Sequence, residues 1–185
     1  MKILTDYTYT FSKGVKKAKD LVKKGKIGKV LGFDLSIRQM GRFGRGNVYW
    51  LLASHLLAVL DMFAPLKHLT FKNRDLVVRE GVVETGEISF KGGRLFVSLN
   101  YPGKDVKMII YGEKGSIIYD PIADPSLHLQ VYKQAPLMVG YEIDEGNNLE
   151  YVVEHFAKVL NGKARDNLDR AICVTKIIEG LKHEA

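Results

Sequence analysis

The chain has 185 residues, a formal net charge of +7 and a pI of about 9.3. That length suits one domain able to bury roughly 70% of its unfolded surface, so no metal or disulfide staple is required. The lone Cys173 has no intrachain partner, Met1-Lys2-Ile3-Leu4 reads as the start of a strand rather than a signal peptide, and no apolar run reaches the roughly 20 residues of a membrane span, so the expectation is a cytoplasmic protein with no membrane partner.

Residues 3–10, Ile-Leu-Thr-Asp-Tyr-Thr-Tyr-Thr, are β-branched and aromatic and predict a strand. Ser12 is placed to cap a helix over 13–25, which Gly25 and Gly28 end. The lysines at 13, 16, 17, 19, 23, 24, 26 and 29 surround an apolar stripe of Val15, Ala18, Leu21 and Val22. Such density would suit a phosphate backbone, but a solvated helix face accounts for it and no nucleic-acid partner is expected. Val30–Gln39 alternates, with Leu31, Phe33, Leu35 and Ile37 on one side and Asp34, Ser36 and Arg38 on the other, which predicts a half-buried strand. Residues 40–46, Met-Gly-Arg-Phe-Gly-Arg-Gly, form a loop whose G-x-x-G-x-G spacing reverses the dinucleotide fingerprint and lacks a βαβ setting, so phosphate binding is not expected there.

The next stretch, residues 47–61, is almost wholly apolar; from Trp50 to Leu60 only Ser54 and His55 are polar. A helix apolar all round belongs inside a protein. A histidine at its centre must find a partner or face a cavity. Two readings of His55 stand: a core histidine satisfied by a backbone carbonyl, or a general acid/base at the back of a cleft. Pro65 ends the helix.

Short strands come next at 67–78, 81–91, 94–101, 105–112, 115–119 and 127–133, with tight turns that force neighbours antiparallel. One face is solidly apolar: Leu95, Val97, Leu99, Val106, Met108, Ile110, Leu127, Leu129 and Val131. The other keeps Phe96, Ile109, Tyr111 and Tyr132, too apolar for a merely solvated face, and reads as a homodimer surface. Residues 134–147 read as a loop, and two amphipathic helices close the chain, with stripes through Leu149, Val152, Val153, Phe156, Val159 and Leu160, then Leu168, Ala171, Ile172, Ile178 and Leu181. His155 reads as structural, and no His, Cys and Asp cluster has metal-ligand spacing.

Four stretches in this order resemble the C-terminal domain of the glucose–fructose oxidoreductase / inositol dehydrogenase / MocA family of NAD(P)-dependent sugar oxidoreductases. They are DYTYTFSKGVKKAKDLVKKGKIGKV at 6–30, NVYWLLASHLLAVL at 47–60, YGEKGSIIYD at 111–120 and NNLEYVVEHFAKVLNGKARDNLDRAICVTKIIEG at 147–180. The resemblance implies an α+β domain: an open, mostly antiparallel sheet with helices on one face and the other face free for homodimers or larger homo-oligomers. It implies a catalytic His55, with Tyr7, Arg38, Asn47 and Trp50 around a sugar-type ligand, a nucleotide-linked sugar being one form. Leu51 stands where the family has a carboxylate four residues before the histidine, and Leu56 where it often has Asp. The family's dinucleotide-binding domain has no counterpart here. The resemblance therefore implies a chain that binds no NAD(P) alone and meets it through a separate dinucleotide-binding polypeptide. A non-catalytic binding or scaffolding relative is the alternative, favoured by Leu51 and Leu56.

Overall fold

A computed structural model describes residues 2–41, 46–133, 135 and 137–181. The order is α1 (Lys13–Lys23), β1 (Val30–Met40), α2 (Ser54–Leu60), β2 (Phe71–Arg79), β3 (Val82–Phe90), β4 (Gly93–Ser98), β5 (Asn100–Gly112), β6 (Gly115–Tyr119), β7 (Leu127–Val131), β8 (Leu137–Tyr141), α3 (Asn148–Leu160) and α4 (Leu168–Glu179). The eight strands form one open, mixed and mostly antiparallel sheet in the order β2-β3-β4-β1-β5-β6-β7-β8. The architecture is α+β, as the strand-rich middle and helical ends require.

β1 is the spine of the sheet. It pairs antiparallel with β5, Leu35 opposite Met108, and parallel with β4, Leu35 opposite Leu95. The expectation that short connections pair successive strands fails at one place. Only Leu99 separates β4 from β5, yet β1 lies between them. β1 wins that slot because Phe33, Leu35 and Ile37 bring three buried side chains to the middle of the apolar face. Leu31, expected on that face, is 57% exposed, because the β1–β5 register shifts between Val30 and Gly32.

α1 and α2 lie on the apolar face, where Val15, Ala18 and Val59 meet Leu35, Met108, Ile110 and Ile117. The start of α1 is held by two caps. The Ser12 hydroxyl accepts from the Val15 N–H at 3.1 Å. The Glu145 carboxylate accepts from the Ser12 hydroxyl at 2.9 Å and from the N–H groups of Lys13 and Gly14 at 3.1 and 2.9 Å. A negative charge on the free N–H groups of a first turn is favourable twice over, by hydrogen bonding and by the helix dipole. Glu145→Ala should therefore lower stability by about 1–2 kcal/mol, read as a shifted urea midpoint at unchanged slope. At the other end of α1, Gly25 (φ +67°) lets the Lys26 N–H reach back to the Leu21 carbonyl at 3.1 Å.

Three further expectations are corrected. Residues 3–10 do not form a strand: Thr8–Phe11 is a 3₁₀ turn. The Thr5 backbone is held instead by the Asn167 side chain, which accepts from its N–H at 2.9 Å and donates to its carbonyl at 2.8 Å. Strand propensity is expressed only where a ladder exists to receive it. The strand expected from 67 starts at Phe71, after a 3₁₀ turn at Leu66–His68. The loop expected over 134–147 contains β8, which pairs with β7 through Leu129 and Val139. Most of the 40–46 loop, residues 42–45, lies outside the described residues.

The face away from the helices carries Phe96 and Ile109, partly buried, and Tyr111 and Tyr132, 38% and 47% exposed. Among them Arg94 bridges Asp34 at 3.0 Å and Glu87 at 3.3 Å. No helix of the described residues is long and apolar enough to cross a membrane.

Candidate functional site

The apolar run that carries His55 does not begin as an α-helix. Asn47 starts it, its Oδ1 accepting from the Tyr49 N–H at 2.9 Å. Tyr49–Ala53 is then a π-helical turn, closed by the Ser54 N–H on the Tyr49 carbonyl, while the Ser54 hydroxyl donates to the Trp50 carbonyl at 2.8 Å. A π turn inserts a residue and so re-aims the helix beyond it, and such turns recur at functional sites. Here the turn leaves Trp50 45% exposed while Tyr49, Leu52, Ala53 and Leu56–Leu60 are buried. Tyr49 pins the turn to the sheet by donating to Asp75 Oδ1 at 2.7 Å. Burial and that carboxylate hold its phenol far above the usual tyrosine range.

His55 opens onto a cavity of about 420 Å³. Its walls come from five places: Thr8 and Tyr9 on the 3₁₀ turn, Ile37 and Gln39 on β1, Leu51, Leu52 and His55 on the helical run, Lys104 on β5, and Asn147, Asn148 and Leu149 at the start of α3. Tyr7 and Tyr9 meet the imidazole edge-on, with ring centroids 6.2 and 6.0 Å away. Burial lowers the His55 pKa, opposed by the charge of Asp6. Burial also raises both tyrosines. His55 Nδ1 is buried and has no hydrogen-bond partner among the described residues. No carboxylate lines the cavity among the described residues; Leu51 does, where a carboxylate would have oriented the ring.

The expected site residues therefore divide. His55 lines the cavity and Tyr7 backs it. Asn47 stands one turn away, its oxygen committed to the Tyr49 N–H. Trp50 is turned to solvent. Arg38 lies on the opposite face of the sheet, where its Nε donates to Asp105 at 3.0 Å and its guanidinium sits 4.6 Å over the Tyr101 ring. Its neighbour Gln39 takes the cavity position. Strand parity could have found it, since Leu35 and Ile37 mark the inward side. Nothing local marks Tyr9, Lys104 or Asn148, which are brought in by turns and by chain separations on the order of a hundred residues.

The sequence matches no protein-family model and no curated protein. The fold does have solved counterparts. A proposed NADPH-dependent oxidoreductase from Desulfitobacterium hafniense superposes with a TM-score of 0.82 at 13% identity, over 98% of this chain and 62% of that one. The fold is shared with solved oxidoreductases. An oxidoreductase from Sinorhizobium meliloti gives 0.75 at 12% identity, over 96% and 61%. Levoglucosan dehydrogenase in complex with NADH and levoglucosan gives 0.74 at 12% identity, over 94% and 62%. A further complex of that enzyme holds NADH and L-sorbose. The chain spans about 62% of the length of the structures it matches.

Proposed function

We propose that this chain is the substrate-binding half of an NAD(P)-dependent sugar oxidoreductase of the glucose–fructose oxidoreductase / inositol dehydrogenase / MocA type. The observation that carries the reading is a half-buried, cavity-lining histidine in a cavity of small-ligand size, inside a fold shared with dehydrogenases over nearly its whole length. His55 is the residue on which chemistry would centre, holding a substrate oxygen.

The described residues do not fit a dinucleotide. The N-terminus of α1 is occupied by the Glu145 carboxylate, which would repel a pyrophosphate. The starts of α3 and α4 are taken by Asn147 and Asp166 side chains. The parallel pair, β1 and β4, is not joined by a Gly-rich turn opening a crossover helix of the βαβ kind. The nicotinamide, which supplies the hydride acceptor or donor in such reactions, would come with a dinucleotide-binding domain outside these 185 residues. The helix-free sheet face, with Phe96, Ile109, Tyr111 and Tyr132, is the proposed homodimer surface. The second reading, a binding module without turnover, is favoured by Leu51 in the cavity wall.

Purification from native extract separates the two. The first expects a bound Rossmann-type polypeptide and NAD(P)-dependent sugar oxidation that is lost in His55→Ala. A clean homo-oligomer with no such activity would overturn it in favour of the second.

A further inference from the structure

We propose that β8 is a pairing edge: two copies of this chain join β8 to β8, antiparallel and centred on Val139, so that one sheet runs through both. The inference does not depend on the oxidoreductase reading, and it uses a different surface from the helix-free face.

The two edges of the sheet are built differently. An edge strand offers a row of unpaired N–H and C=O groups to any other strand, and proteins blunt such edges with charge, proline or bulges. β2, at one end, is blunted. It carries Lys72, Arg74, Asp75 and Arg79, and its register against β3 shifts on both sides of Val77. β8, at the other end, is not. Leu137–Tyr141 holds no charge and no proline, and it pairs with β7 in unbroken register. Its outer side makes no backbone hydrogen bond among the described residues. Leu137, Met138 and Val139 are 51%, 54% and 36% exposed. Val139 lies opposite Leu129, which lies opposite Ile117, and both of those are core residues. The apolar row on the helix-covered side therefore runs out to the edge and stops there uncovered.

The occupant that fits is a second copy. A two-fold axis perpendicular to the sheet keeps the faces in phase. Val139 then meets the partner's Val139, Leu137 meets the partner's Tyr141, and Met138 meets the partner's Gly140, where no side chain obstructs it. The ends match in charge. Lys133 is exposed in the turn before β8, and Glu142 and Asp144 are exposed beyond its other end. Antiparallel pairing brings the basic end of each copy to the acidic end of the other, whereas parallel pairing would set like beside like. Strands of five residues make a small contact, so a dissociation constant of about 1–100 μM is expected.

Sedimentation velocity on the intact chain over about 1–300 μM should show reversible association. Val139→Lys sets like charges directly opposite each other across the axis and should weaken it about tenfold or more. The helix-free face keeps all its residues in this variant, so association through that face would persist. A second measurement does not need Val139→Lys to fold. In a Cys173→Ser background, Val139→Cys should cross-link into a covalent dimer under oxidised glutathione, because directly opposed residues lie about 4.5–5.5 Å apart at Cβ. Val77→Cys, on the blunted edge, should not. A parent that stays monomeric throughout, association unchanged by Val139→Lys, or Val139→Cys cross-linking no faster than Val77→Cys would each overturn the proposal.

Discussion

Gly86→Ala should lower folding stability by about 3 kcal/mol, at the upper end of what overpacking a tight core costs. A Cβ at Gly86 would sit 2.2 Å from the Tyr49 hydroxyl oxygen and 2.6 Å from the ring carbon that bears it. Tyr49 cannot step aside, because it is fully buried and its hydroxyl is hydrogen-bonded to Asp75. Relief requires either breaking that bond or lifting the π turn off β3. Because the same turn aims the helical run at the cavity, the variant should also weaken ligand binding in the fraction that remains folded. Urea unfolding of parent and variant checks the first effect. A midpoint unchanged within error would mean that Tyr49 is not the clamp described.

Leu51→Glu should raise the pKa of His55 by about one pH unit or more, the shift expected when a carboxylate faces an imidazole at close range. Leu51 and His55 line the same cavity, so the new carboxylate would share the imidazole's surroundings. In the parent, burial holds the His55 pKa below its ordinary 6.5. The unfolded chain takes up the proton first as the pH falls through that value, so stability is full above about 6.5 and declines below it. In the variant that decline shrinks, and it reverses sign once the carboxylate carries the folded pKa past 6.5. With the folded pKa above the unfolded one, the contribution is present at lower pH, while the carboxylate stays ionised, and is lost as the pH rises through the folded value. A titration of the His55 ring protons by NMR reads the shift directly. A pKa that stays put or falls would show that residue 51 does not face the imidazole.

Much of the fold is legible in the residues. Ser12 before an amphipathic lysine-rich helix, the alternation of Phe33, Leu35 and Ile37, and the Gly-rich turns between short strands each specify local structure by a mechanism that needs no partner. What escapes is long-range. Ile3 to Thr10 has the composition of a strand but meets a helix side chain rather than a ladder, and composition alone cannot report that. β8 is short, exposed and on the sheet edge, so it carries no alternation to read. The insertion of β1 between β4 and β5 is a decision between two compatible apolar strands, settled only by the packed whole. The site divides in the same way. His55 stands out because a polar ring in an apolar run demands explanation. Arg38 and Gln39 are neighbours in the chain, and in a strand one step changes the face. Asn148 gives no local signal at all, because it lines the cavity only through where the start of α3 comes to rest.

If these 185 residues grip a sugar-like substrate and leave the coenzyme to a domain outside them, NADH titrated into the isolated chain should show no saturable change in fluorescence. Saturation at micromolar coenzyme would contradict that division of labour.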